Sequence, residues 1–117
     1  EGCSNRCSYC AIPIIRGGFF SRPAASIIDE AKKLADDGAK ELILLAQDST
    51  GYRDGKTDLP ALLRKLARVR GIAWVRLMYA YPGRISDALM AVLAEEKSSA
   101  STSTSRSSIS TTRCLLP

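Results

Sequence analysis

Between Arg22 and about Glu96 the sequence alternates between two kinds of apolar pattern. The segment RPAASIIDEAKKLADDG carries its apolar residues on one stripe with the 3.6-residue period of an α-helix. Pro23 in its first turn and Gly38 just past its last turn are typical of helix ends. The next segment, ELILLAQD, contains a continuous apolar run from Leu42 to Ala46, which predicts a strand buried on both faces.

The following segments repeat this order. TDLPALLRKLARV predicts a helix with Asp58 as its N-cap, and IAWVRLMYAY predicts a second strand rich in aromatic and β-branched residues. SDALMAVLAEE predicts a third helix capped by Ser86. The alternation predicts an α/β fold with about two parallel strands, three helices and right-handed crossovers, in a barrel or an open sheet.

Ligands in such folds bind at the carboxyl ends of the parallel strands. Four residues follow or end the two predicted strands, and we expect a site near them: Gln47, Asp48, Tyr79 and Tyr81.

Both ends of the chain differ from a complete domain of this type. No strand pattern precedes the first helix, and two parallel strands cannot close a barrel, so we expect residues 1–97 to be part of a larger domain. Residues 98–117 are almost entirely serine and threonine before the final CLLP. Such a tract cannot bury enough apolar surface to offset the entropy lost on ordering, so we predict a disordered tail or one not native to the domain.

Composition narrows the possible functions. The chain has no histidine, which excludes histidine acid–base catalysis and mixed Cys/His zinc sites. Its net charge of +5 permits contact with nucleic acid, but the basic residues are spread along the chain, so a solvated surface is the favoured interpretation. No apolar run approaches the ~18 residues of a spanning helix and no signal peptide is visible, so we expect a cytoplasmic location and no membrane partner.

Three of the four cysteines stand in the opening stretch EGCSNRCSYC, as Cys3, Cys7 and Cys10. A disulfide would leave one thiol over, and structural zinc would need a fourth ligand such as Cys114 or Glu1. Thiolates spaced C-x3-C-x2-C suit three corners of a [4Fe–4S] cluster, leaving one iron open to a small molecule with an amine and a carboxylate. The spacing favours the cluster, with zinc as the alternative.

The longer stretch EGCSNRCSYCAIPIIRGGFFSRP resembles the cluster loop of the radical S-adenosylmethionine superfamily, and within it the methylthiotransferases. The resemblance extends from Glu1 to about Glu96. The segments LLAQDSTGY and VRLMYAYPGRISDAL are similar to the branch that modifies an aspartate of a small-subunit ribosomal protein, which tends to carry Ala-Gln-Asp followed by Ser or Thr. The branch that modifies a transfer-RNA adenosine tends to carry Gly-Gln-Asn there and is the alternative, together with an inactive iron–sulfur or zinc-binding fragment.

The resemblance implies a partial (β/α) barrel in which Cys3, Cys7 and Cys10 ligate a [4Fe–4S] cluster that cleaves S-adenosylmethionine. It implies replacement of a hydrogen on the β-carbon of the aspartate by a methylthio group. Tyr9 would lie near the adenine, and Gln47 and Asp48 near the methionyl part of the cofactor, unless they cap the strand and bond to loop backbone. The implied partners are the ribosomal protein or ribosome and an electron donor such as flavodoxin or ferredoxin. DNA is not among them.

Overall fold

The computed structural model describes residues 1–98. The Ser/Thr tract from residue 99 onward, with its predicted disorder, and Cys114 lie outside the described residues. The helices are α1 (Ile12–Arg16), α2 (Ala24–Asp36), α3 (Leu59–Ala67) and α4 (Asp87–Ser98), and the strands are β1 (Glu41–Leu44), β2 (Arg53–Asp54), β3 (Thr57–Asp58) and β4 (Trp74–Leu77). Single 3₁₀ turns at Ser49–Gly51 and Pro82–Arg84 come after β1 and β4.

The main sheet consists of β1 and β4, which pair in parallel with Leu42 opposite Val75 and Leu44 opposite Leu77. Because α3 lies between these strands in sequence, the predicted order of strand, helix and strand is confirmed, and so is the α/β class. The short antiparallel pair of β2 and β3 and the five-residue helix α1 were not predicted.

The core lies between one face of this sheet and the helices. The predicted apolar stripe of α3 is buried along its whole length, with Leu62 and Leu66 each 1% exposed. These two side chains share one buried cluster with Leu42 and Val75 of the sheet and Val92 of α4. Truncating a leucine in such a cluster costs about 2–5 kcal/mol, so α3 is the helix on which the fold depends most.

The opposite face of the sheet is open in the part of the chain that the structure describes. Ile43 is 58% exposed and Leu45 is 70% exposed, so the prediction that Leu42–Ala46 is buried on both faces is wrong. The pattern implied a second layer, and within residues 1–98 none packs against this face. The ion pair between Arg76 and Glu41, 2.7 Å long, lies across it instead.

The helix ends show how local sequence positions the elements. Asp58 caps α3 by accepting a hydrogen bond of 3.0 Å from the amide of Ala61, and the hydroxyl of Ser86 accepts one of 3.2 Å from the amide of Leu89. Both predicted caps are therefore confirmed. The N-cap of α2 is Pro23, whose side chain makes no capping bond.

A tertiary contact replaces the missing cap of α2. The carboxylate of Asp54, in the β2–β3 pair, accepts a hydrogen bond of 2.8 Å from the amide of Ala24. The amide of Arg53 donates to the hydroxyl of Ser21, and the hydroxyl of Tyr52 donates to the carbonyl of Arg22. The hairpin therefore fastens the start of α2, immediately after the cysteine loop.

The contact changes the acidity of Tyr52. Burial raises the pKa of its hydroxyl above the ordinary value, the carboxylate of Asp54 raises it further, and the guanidinium of Arg22 opposes both. The neutral phenol is therefore the favoured form in the folded chain.

Candidate functional site

The first twenty residues form a loop that closes on itself. The amide of Phe20 donates to the carbonyl of Glu1 at 2.7 Å, and the amide of Cys3 donates to the carbonyl of Gly17 at 3.2 Å. Gly2, at φ +66°, packs closely against the backbone of Gly18, since a Cβ at Gly2 would lie 2.1 Å from the carbonyl oxygen of Gly18. Only glycine fits such a close approach, so backbone packing and hydrogen bonds together fix the start of the cysteine motif.

The three cysteines of the motif are free thiols in different environments. Cys3 is buried at 8% exposure, Cys10 is half-buried and Cys7 is exposed. A turn joins the last two, in which the amide of Cys10 donates to the carbonyl of Cys7 at 3.1 Å. The amide of Asn5 donates to the sulfur of Cys3 at 3.4 Å.

These residues suit an iron–sulfur cluster in donor chemistry. Among residues 1–98, no three Cys, Asp or Glu side chains are placed to hold a single metal ion. A four-iron cluster needs something different, since it takes its thiolates at separate corners, and its sulfurs gain from backbone amide donors. The loop provides three free thiols, and the amide of Asn5 already donates to one of the sulfurs.

Asp48 joins the cysteine loop to the strand ends. Its Oδ2 accepts hydrogen bonds from Asn5 Nδ2 at 3.0 Å and from Arg84 Nη1 at 2.8 Å. Its Oδ1 accepts from the amide of Thr50 at 3.1 Å and from the hydroxyl of the same residue. The side chain of Asp48 is 3% exposed and that of Arg84 is 51% exposed. We call these four residues the Asp48 network.

Ser49 joins the two strand ends to each other. Its amide donates to the carbonyl of Tyr79, and its hydroxyl donates to the carbonyl of Met78. Tyr79 has φ +56°, a left-handed conformation that is strained for an aromatic residue, and the residue is 54% exposed. Tyr81 is also exposed, and the guanidinium of Arg84 lies 5.8 Å from the centre of its ring.

The three predicted cofactor-binding residues, Asp48, Gln47 and Tyr9, differ in their burial and their contacts. Asp48 is bound to the cysteine loop through Asn5, and both of its oxygens accept from protein donors, which matches the capping alternative. Gln47, next to it, is exposed at the same strand end. Tyr9, between Cys7 and Cys10, is 71% exposed. That Tyr9, Gln47 and Asp48 contact the cofactor therefore stays a prediction.

Three residues of the network, Asn5, Thr50 and Arg84, were not predicted from the sequence. The available signal was weak: a carboxylate directly after a buried strand needs donors, and the loops at neighbouring strand ends are where they would be found.

A cavity of about 290 Å³ lies between α2 and β1 and is also lined by Glu1 and Ser49. Its lining is mostly aliphatic, with Ile27 and Leu34 from the helix and Leu42 and Leu44 from the strand. It contains none of the three cysteines, so we do not take it as the functional site.

Within residues 1–98, no helix is both long and apolar enough to span a membrane.

A loop of three free thiols at the carboxyl ends of parallel strands is the arrangement of a cluster-dependent α/β enzyme domain. A sequence profile of the Radical SAM superfamily matches residues 1–103. The chain therefore belongs to the radical SAM superfamily.

The curated relatives of this chain include several proteins with the name "Ribosomal protein uS12 methylthiotransferase RimO". The protein of Moorella thermoacetica is 54% identical over 99 residues, which is 82% of this chain and 23% of the relative. That of Pelobacter propionicus is 53% identical over 100 residues, or 82% and 22%. That of Clostridium perfringens strain 13 is 54% identical over 93 residues, or 77% and 21%. The chain thus spans less than a quarter of the length of these relatives.

Proposed function

We propose that this chain carries the cluster-binding part of an enzyme that adds a methylthio group to the β-carbon of an aspartate in a small-subunit ribosomal protein. The observation that carries the proposal is the docking of the C-x3-C-x2-C loop at the carboxyl end of β1 by the bond from Asn5 to Asp48. The similarity to proteins named for methylthiotransfer to uS12 supports this reaction and this substrate.

Cys3, Cys7 and Cys10 would hold a [4Fe–4S] cluster and leave one iron for the amine and carboxylate of S-adenosylmethionine. Bound together, the two cofactors supply the radical chemistry needed at an unactivated carbon. Residues 1–97 would then be part of the core domain of a radical SAM enzyme.

The chain's own side chains would position the cofactor and the substrate. Gln47 offers an exposed amide, both donor and acceptor, at the end of β1. Tyr9 offers an exposed ring between two cluster ligands, which suits stacking on an adenine. Tyr79 projects an exposed ring from the end of β4, where a backbone fixed by Ser49 holds its direction.

The partners follow from the reaction. The substrate would be the ribosomal protein, free or within the small subunit, and a protein such as flavodoxin or ferredoxin would reduce the cluster. An enzyme of this kind works where ribosomes are assembled, so we expect a cytoplasmic location. The sequence Ala-Gln-Asp at 46–48 favours this substrate over a transfer-RNA adenosine.

The full-length protein tests the proposal. It is reconstituted anaerobically with iron and sulfide, reduced, and incubated with S-adenosylmethionine and either small ribosomal subunits or transfer RNA. Mass spectrometry should find one added methylthio group on an aspartate of the ribosomal protein, and none when Cys7 is replaced by Ala. Methylthiolated transfer RNA with unmodified ribosomal protein would overturn the substrate, and bound zinc without iron would overturn the cluster.

A further inference from the structure

The bonds to Asp48 come from three separate loops. Asn5 belongs to the cysteine loop, Thr50 follows β1, and Arg84 belongs to the turn after β4. Asn5 stands between Cys3 and Cys7, so it is fixed within the very segment that would wrap the cluster. The bonds from Phe20 to Glu1 and from Cys3 to Gly17 are, by contrast, internal to the loop.

The chemistry of the network requires a carboxylate. Every group directed at Asp48 is a donor, namely two nitrogens and one hydroxyl of neutral groups together with one guanidinium. A carboxylate offers acceptor sites on both oxygens, and its charge matches that of Arg84. An asparagine at position 48 would present an NH₂ group, itself a donor, to the donors that face one of the two oxygens. Asn5 could turn its own amide to accept from that group, but Arg84 would lose its anion.

We propose that Asp48 is a positioning residue, which holds the cysteine loop at the strand ends through Asn5 and is itself oriented by Arg84. The inference rests on the cluster site proposed above and adds to it the residue that fixes the loop. Asp48 would act on the cluster through Asn5.

Cys3 provides a readout that needs no cluster. Cys3 as a residue is 8% exposed, so a thiol reagent should reach its sulfur mainly when the loop opens, whereas Cys7 is exposed in the folded loop. Loss of a bond to a buried carboxylate should therefore speed alkylation of Cys3 by roughly ten- to a hundredfold. Alkylation of Cys7 should change little, which makes it the internal reference.

The experiment measures alkylation of both thiols by mass spectrometry in the cluster-free full-length protein. Asn5→Ala and Asp48→Ala should both speed the reaction of Cys3, and the double variant should be no faster than Asp48→Ala alone, because both changes remove the same link. Asp48→Asn should fall between wild type and Asp48→Ala. The control is Asp58→Ala, which removes a helix cap of α3 and should leave the ratio of the two rates unchanged.

A second readout uses the reconstituted protein. Asn5→Ala should alter the paramagnetic resonance spectrum of the reduced cluster with S-adenosylmethionine present, while Asp58→Ala should not. The proposal would be overturned if the effects of Asn5→Ala and Asp48→Ala on the alkylation rate of Cys3 were additive in the double variant. It would also be overturned if these variants alkylated Cys3 no faster than Asp58→Ala does. Should wild type bind no cluster, the proposed function fails, and the alkylation rates still decide whether Asp48 positions the loop.

Discussion

Ser49 and Met78 are joined by a hydrogen bond of 2.6 Å, from the hydroxyl of the first to the carbonyl of the second. Ser49 comes after β1 and Met78 directly after β4, so this bond links the carboxyl ends of the two parallel strands. Ser49 is 5% exposed, and its amide makes a further bond to the carbonyl of Tyr79. The candidate site therefore lies on two strand ends that are fixed to each other.

Replacing Ser49 by Ala should lower the free energy of unfolding by about 1 kcal/mol, because a hydrogen bond is lost and a partly buried carbonyl is left without it. Urea unfolding followed by circular dichroism measures the change. Ser8→Ala, at an exposed position of the cysteine loop, is the matched control and should stay within about 0.5 kcal/mol of wild type. Equal stability of the two variants would show that the bond contributes nothing.

Tyr79 should respond differently to glycine and to alanine. At φ +56° a residue with a Cβ is strained, so Tyr79→Gly should be more stable than Tyr79→Ala by about 1 kcal/mol. Tyr81, at φ −79°, provides the control, since there alanine should be the more stable of the two replacements. Thermal unfolding of the four variants measures both orders, and the same order at both positions would contradict the strained conformation of Tyr79.

Asp54 should stabilise α2 from outside that helix. Asp54→Ala removes the acceptor of the Ala24 amide and a negative charge near the helix N-terminus, so it should cost about 1 kcal/mol. Asp36→Ala, in the last turn of the same helix, is the control and should cost nothing, because a carboxylate there opposes the helix dipole. Denaturant unfolding compares them, and a larger loss for Asp36→Ala would refute the tertiary cap.

Tyr52 should make stability depend on pH in the alkaline range. Its pKa in the folded protein is raised, so the folded state keeps this proton where the unfolded chain has lost it. The stabilisation is complete below the unfolded pKa of 10.0 and falls as the pH rises through the folded pKa. Tyr52→Phe should flatten the decline of unfolding free energy above about pH 10, whereas Tyr81→Phe should keep the wild-type slope because Tyr52 is intact. Identical slopes in all three proteins would contradict this assignment.

Local sequence patterns predicted helices and strands, whereas the contacts between residues far apart in the sequence could not be predicted from them. The α3 stripe and the caps at Asp58 and Ser86 depend on residues within four positions of each other, so periodicity and cap chemistry were sufficient. The cap that Asp54 gives to Ala24 joins residues 30 apart, and no local signal marks it. The exposure of Ile43 was mispredicted because an apolar run shows that a face can be buried without showing what covers it.

For the candidate site, too, local features could be predicted from the sequence and long-range contacts could not. The spacing of the cysteines predicted a cluster-binding loop, and the rule for strand ends selected Asp48. The partners of Asp48 could not be read from spacing, since Asn5 lies 43 residues before it and Arg84 lies 36 residues after it. Which donors meet a carboxylate depends on how the loops pack, and only the folded chain shows that.

The most direct test of the account is the iron and sulfide content of the anaerobically reconstituted full-length protein, compared with that of single Cys→Ala variants. Because the part aligned with this chain is less than a quarter of the relatives' length, the three changes should be made in a background that keeps any cluster bound elsewhere in the protein. Cys3→Ala, Cys7→Ala and Cys10→Ala should each lose one [4Fe–4S] cluster and all cleavage of S-adenosylmethionine, while the neighbouring control Ser8→Ala should keep both. Full cluster content and cofactor cleavage in any of the three cysteine variants would contradict the central claim.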